Sequence, residues 1–213
     1  MKEAELGSKG VVLCVSGPSG VGKGTVIAAL QRLVRQNKQH QQIDHSVSVT
    51  TREPRSGETE GVDYYFRSRE AFEQLLRQGE ILEHDEYCGN YYGTPRAPIL
   101  DRMNQGIDVV MDVTVPGSIE TIRNFPAAIG IFLLPPSFTE LRRRLEGRGT
   151  EKPEAIELRM AKAVIEIKQA SRFKYIVVNY DVEETARQIL AILEAERHLA
   201  VNMQGIEELI INR

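Results

Sequence analysis

Apolar residues run unbroken through Val11-Val12-Leu13-Cys14-Val15, and further apolar runs recur at 107–113, 128–134 and 174–178. The intervening segments change period: Val26, Ile27, Leu30, Leu33 and Val34 fall on one face of a helix directly after the first run. Short, nearly continuous apolar strands separated by amphipathic helices predict an α/β fold, a parallel sheet flanked by helices on both faces. Ser68 opens a predicted helix carrying Phe72, Leu75 and Leu76, and Gly79 closes it; Ser137 and Glu140 have capping-box spacing ahead of Leu141 and Leu145. Further helices are predicted near 154–170 and 182–198. Two polar stretches interrupt the alternation, 46–94 and Gly147–Pro153, and neither reads as core. Polar insertions over the carboxyl ends of parallel strands are where a second substrate and a closing lid are expected. The tail from Val201 to Arg213 is mildly amphipathic.

Between the first strand and the first helix stands Gly17-Pro18-Ser19-Gly20-Val21-Gly22-Lys23-Gly24-Thr25. Glycines let such a loop wrap a polyphosphate with its N–H groups turned inward, the helix N-terminus adds partial positive charge, and Lys23 supplies an ammonium. Residues Gly17, Ser19, Gly20, Val21, Gly22, Lys23, Gly24 and Thr25 are therefore the expected binding loop for a nucleoside triphosphate. The strict pattern places a hydroxyl directly after the lysine to ligate magnesium; here that slot is Gly24, and Thr25 carries the hydroxyl one residue later.

With 213 residues, 41% of them hydrophobic, the chain is long enough for one sizeable core and reads as a single domain carrying insertions. The expected division is a core of 8–45 and 95–200, an insertion at 46–94 and a lid at about 146–154. A net charge of -3 argues against nucleic-acid or membrane-surface binding, both of which favour a basic surplus. Cys14 and Cys88 lack metal-type spacing, and no apolar run approaches the length of a membrane span or a secretory leader. A cytoplasmic protein with reduced thiols is expected.

The insertion holds Ser48-Val49-Thr50-Thr51-Arg52-Glu53-Pro54-Arg55, then Glu58, Gly61, Tyr64, Phe66, Glu83 and Gly89-Asn90-Tyr91-Tyr92-Gly93-Thr94. Arginine forks suit a phosphate monoester, and tyrosines add hydroxyls and a stacking face. Together Thr50, Thr51, Arg52, Arg55, Glu58, Gly61, Tyr64 and Phe66 resemble the signature of the guanylate kinase family. The resemblance continues through Gly89–Thr94, Arg144–Thr150, Arg159 and Val177-Val178-Asn179, covering nearly the whole chain except its termini. It implies the P-loop nucleoside monophosphate kinase fold, with inserted monophosphate-binding and lid segments.

The resemblance also implies roles. Ser48, Arg52, Arg55, Tyr64 and Tyr92 would hold the phosphate of GMP, while Glu83 with Ser48 and Thr94 would read its base. Guanine presents two adjacent donors that one carboxylate can accept, whereas adenine presents an acceptor there, a mismatch worth on the order of 10⁴ in selectivity. ATP would be the phosphoryl donor, with Mg²⁺ held beside Thr25 and Asp112. Lys23, Arg55, Arg148 and Arg159 would neutralise the transferred group, so no dedicated base is required.

Asn179 is the family position near the adenine of ATP, though a strand-end asparagine is also a turn former. Arg142, Arg143 and Arg144 read as a solvated helix face, with Arg144 the one able to reach the site. One departure stands out: the family shows two acids two apart, then glutamine and glycine, where this chain has Asp112-Val113-Thr114-Val115-Pro116-Gly117. Thr114 for the second acid leaves open a kinase with a different monophosphate preference. A non-catalytic, phosphopeptide-binding relative is the other alternative, disfavoured by the intact loop. Assembly as a monomer or homo-oligomer stays open.

Overall fold

The computed structural model describes residues 9–36, 42–87, 89–147, 153–203 and 205–212. The chain opens with β1 (Val12–Ser16), buried throughout, and α1 (Lys23–Gln36). Then come β2 (Ile43–His45), β3 (Ser48–Thr50), β4 (Tyr64–Phe66), α2 (Arg69–Arg77), β5 (Ile81–Tyr87), β6 (Asn90–Pro95) and α3 (Arg96–Asn104). The second half holds β7 (Asp108–Asp112), α4 (Val115–Asn124), β8 (Ile129–Leu134), α5 (Phe138–Glu146), α6 (Pro153–Ile167), β9 (Tyr175–Val178), α7 (Val182–Arg197) and α8 (Ile206–Ile211).

Five strands form one sheet in the order β2-β7-β1-β8-β9, and every neighbouring pair is parallel. Alternate β1 side chains serve opposite faces, which is why the strand reads as an unbroken apolar run. Leu13 and Val15 join Leu30 of α1 and Ile189 and Leu193 of α7, while Val12 and Cys14 join Leu82, Ile99 and Met111 on the other side. The carboxyl ends of β1 and β7 lead into the glycine loop and into Asp112, so this edge of the sheet carries the chemistry. At the amino end, buried Asp108 accepts the Val11 N–H at 2.8 Å and pairs with Arg197 from the end of α7.

The polar stretch from 46 does not remain a loop. It folds into a second sheet, order β4-β3-β6-β5, in which β3 and β4 are parallel and the other pairs antiparallel. Its small core packs Val49, Phe72 and Ile81 against Tyr65, Leu75, Leu76 and Tyr91. The expectation that this region lacks core is corrected: its strands are three to seven residues long and mix apolar with polar residues without a clean period, hiding the pattern in a bulk reading.

Candidate active site

The glycine loop is held from behind. Gly20 and Gly22 have φ of 89° and 100°, a region that side chains rarely adopt. A Cβ at Gly20 would lie 2.7 Å from Leu145 Cδ2 of α5, so the loop and that helix meet without a gap. Val21 is buried, and its carbonyl accepts from Asn179 Nδ2 at 2.8 Å and Arg144 Nη1 at 3.1 Å. Arg144 is itself oriented by Glu140, whose carboxyl is pulled down to about 2 by hydrogen bonds from Arg143 and Arg144. Ser137 caps α5 as expected, but Glu140 turns to these arginines, so its carboxylate serves the loop latch.

Lys23 begins α1 and reaches back across the loop, donating to the Gly17 carbonyl at 3.2 Å with its Nζ 3.9 Å from Asp112 Oδ1. Burial pushes the Asp112 carboxyl upward, against the pull of Lys23 and His45. From the opposite side, α6 presents Arg159, Lys162 and Glu166 on one helical face. Arg159 Nη1 approaches Ser19 Oγ at 3.4 Å, and Lys162 Nζ lies 3.8 Å from Glu166 Oε1. Glu166 is buried, with its carboxyl shifted upward by desolvation and its Oε2 unpartnered among the described residues.

The second sheet brings the other half. Thr50 and Thr51 tie β3 to Tyr91 of β6, donating to its carbonyl at 3.0 Å and accepting its N–H at 2.9 Å. Arg52 follows, held by both oxygens of Glu58 at 2.8 and 2.9 Å with its guanidinium 5.5 Å from the centre of the Tyr64 ring. Tyr64 and Tyr92 pack edge to face, centroids 6.0 Å apart. Arg55 is exposed, and its backbone N–H also donates to Glu58, which pulls that carboxyl down further.

Glu83 sits at the back of this half, 5% exposed, where β5 shifts register against β6. Such an irregularity re-aims side chains, and here Leu82 enters the main core while Glu83 faces a cavity. Thr94 Oγ1 donates to Glu83 Oε1 at 2.6 Å. Burial, helped by Glu120 and Asp85, raises the Glu83 carboxyl to about 7 despite that bond. The cavity, about 820 Å³, is continuous from Gly17, Ser19 and Lys23 to Ser48, Tyr92 and Glu83. One space therefore joins a phosphate loop to a buried carboxylate, the arrangement needed to hold two substrates end to end.

The guanylate kinase family model matches residues 9–196. The chain belongs to the guanylate kinase family. A guanylate kinase of Thermus thermophilus is 44% identical over 207 residues, covering 97% of this chain and 90% of the relative. One from Halalkalibacterium halodurans is 45% identical over 188 residues, 88% of this chain and 89% of the relative. The crystal structure of guanylate kinase from Anaplasma phagocytophilum superposes with a TM-score of 0.70 at 36% identity, covering 97% of this chain and 96% of that one. The fold is accordingly the P-loop nucleoside monophosphate kinase fold, and no described helix is long and apolar enough to cross a membrane.

Within this guanylate kinase fold the structure gathers Gly17, Ser19, Lys23, Ser48, Tyr64, Glu83, Tyr92, Asp112 and Arg159 around one cavity, with Thr94 behind Glu83. Arg148 and most of the expected lid lie outside the described residues. Asn179, which the family resemblance implies lies near the adenine of ATP, is 1% exposed, donates to the Val21 carbonyl and accepts from Thr185 Oγ1 at 3.1 Å. A buried amide committed to the loop and to α7 braces the phosphate loop from behind. Asn179→Ala orphans the Thr185 hydroxyl and half of the Val21 latch, so stability is expected to fall by about 2 kcal/mol. The ATP KM is expected to rise with it, read from thermal melts and initial rates.

Thr114 proves to be the N-cap of α4, accepting the Gly117 N–H at 3.2 Å, with Pro116 in the first turn where a missing N–H costs nothing. The departure from the family pattern thus keeps a capping oxygen where an acid would stand, and Thr114 still lines the cavity. Sequence reasoning missed Lys162 and Glu166; their spacing of three and seven from Arg159 is the signal that places them on the same face.

Proposed function

We propose that this chain transfers the γ-phosphoryl group of ATP to GMP or dGMP, giving ADP and the corresponding diphosphate. The observation that carries the proposal is the single cavity with Lys23 and the glycine loop at one end and the desolvated Glu83–Thr94 pair at the other. The loop amides, Lys23 and Arg159 face the phosphates of ATP. Arg52, pre-oriented by Glu58, and the hydroxyls of Ser48, Tyr64 and Tyr92 address the acceptor phosphate, with Arg55 and the lid residue Arg148 assigned by family resemblance.

An oxygen of the GMP phosphate, already ionised at neutral pH, attacks the γ-phosphorus as the bond to the bridging oxygen of ADP breaks. No side chain has to accept a proton, so the protein contributes alignment and charge neutralisation. The oxygen donors Asp112 and Thr25 suit a hard cation, and Mg²⁺ is commonly held by one or two carboxylates together with substrate phosphates. A magnesium ion held by Asp112 and Thr25 together with the nucleotide would supply Lewis-acid stabilisation of the phosphate charge. A cytoplasmic setting belongs to the same reading, consistent with the buried free thiol of Cys14.

ADP formation from ATP and magnesium, measured with GMP, dGMP, AMP, CMP and UMP in turn, tests the proposal. Turnover with GMP at least a hundredfold above AMP is expected. Equal rates with GMP and AMP would reopen the question of base preference, and no turnover with any monophosphate would overturn the reaction.

A further inference from the structure

Gly117 stands in the first turn of α4 without a positive φ, so its backbone conformation is open to any residue. Glycine is a poor choice for a helix on propensity alone. What only glycine supplies here is room. A Cβ at position 117 would lie 2.4 Å from Glu83 Oε2, 3.2 Å from Glu83 Cδ and 3.2 Å from Thr114 Oγ1.

Neither side of this contact has slack. Glu83 Oε1 is engaged by Thr94, and the carboxylate is buried. The strand beneath it is fastened to α4 twice, by Asn124 Nδ2 donating to the Leu82 carbonyl at 2.9 Å and by Glu120 Oε2 accepting the His84 N–H at 3.3 Å. The first turn of α4 is set by the Thr114 cap and by Thr121 Oγ1, which donates to the Gly117 carbonyl at 2.9 Å. A side chain at 117 therefore displaces the carboxylate before it displaces the helix.

We propose that Gly117 is a specificity-determining position: its missing side chain forms the seat of the Glu83 carboxylate, and residue 117 sets base choice through Glu83 without touching the nucleotide. This rests on Glu83 as the reader of guanine. Gly117 is a positioning residue; a purely structural role, in which the missing side chain only lets α4 approach β5, would lower thermal stability in Gly117→Ala but leave the GMP KM and base discrimination unmoved.

Gly117→Ala is the test. The expected result is a GMP KM raised at least tenfold, an ATP KM within twofold of the parent, weaker discrimination against AMP, and a thermal midpoint lowered by the crowding at Glu83. Adding Glu83→Asp retracts the carboxylate by one methylene, so the two losses in GMP affinity are expected to be non-additive in a double-mutant cycle. Parental GMP KM and discrimination in Gly117→Ala, alongside their loss in Glu83→Gln, overturns this inference and leaves the guanine assignment standing. Unchanged discrimination in both variants overturns the assignment itself. A lowered midpoint in Gly117→Ala supports the seat when Glu83→Ala restores it in the double variant, and counts against it when it does not.

Discussion

Lys23→Ala is expected to lower kcat for GMP phosphorylation about a thousandfold with little change in thermal stability. Among the described residues the Nζ of Lys23 donates to the Gly17 carbonyl and lies near Asp112 and within electrostatic reach of Glu166, and its side chain is absent from the core clusters, so its removal costs the fold little. In the proposed reaction it would face the phosphoryl group whose charge redistributes as the bond to ADP breaks. Removing one preorganised donor at such a centre typically costs 10²–10³ in kcat, and a full positive charge stands at the upper end of that range. The loss belongs in kcat more than in the GMP KM, because the proposed acceptor site is a different cluster, Arg52, Tyr64 and Tyr92, which pack on one another beside the second sheet. Steady-state kinetics with both substrates varied, run beside a thermal melt, checks this. Activity within tenfold of the parent would remove Lys23 from the reaction.

The parallel sheet and its phosphate loop were legible because both are written locally. A strand buried on two faces is an unbroken apolar run, and Gly20 and Gly22 mark backbone conformations that few other residues tolerate. The second sheet was not legible in the same way. Its core of Val49, Phe72 and Ile81 draws on elements up to 32 positions apart, and only the folded chain shows that their apolar sides meet. Asn179 shows the limit on the site. Its location at the end of β9 follows from the sequence, but its burial against Val21 depends on α5, α7 and the loop converging there. Glu83 lies between these cases: the family resemblance selects it, while the shift in register that turns it into the cavity and the seat at Gly117 are properties of the packed α4–β5 interface.

Glu83→Gln is expected to raise the GMP KM roughly a hundredfold, the upper range for a hydrogen bond to a charged group, and to relax discrimination against AMP. It also changes how the protein responds to pH. The Glu83 carboxyl is raised from an ordinary 4.5 to about 7, chiefly by burial. Only the ionised form can accept both guanine donors, so below that pH the parent must lose a proton before it binds. Its GMP affinity should fall by about tenfold per pH unit beneath the midpoint. Ionisation of the GMP phosphate also contributes in this range, but equally in Glu83→Gln, so the ratio of parent to variant isolates the carboxyl. Stability runs the other way. A group whose folded-state pKa lies above its unfolded value binds protons more tightly when folded, so its contribution is fully present below about pH 4.5 and is lost as the pH rises through about 7. The substrate-free parent should therefore lose stability relative to Glu83→Gln across that interval, and saturating GMP, which favours the ionised carboxylate, should reverse the slope. Thermal melts at half-unit steps from pH 5 to pH 8, with and without GMP, decide it: parallel parent and variant curves in both series would show that Glu83 neither titrates in this range nor carries the base contact.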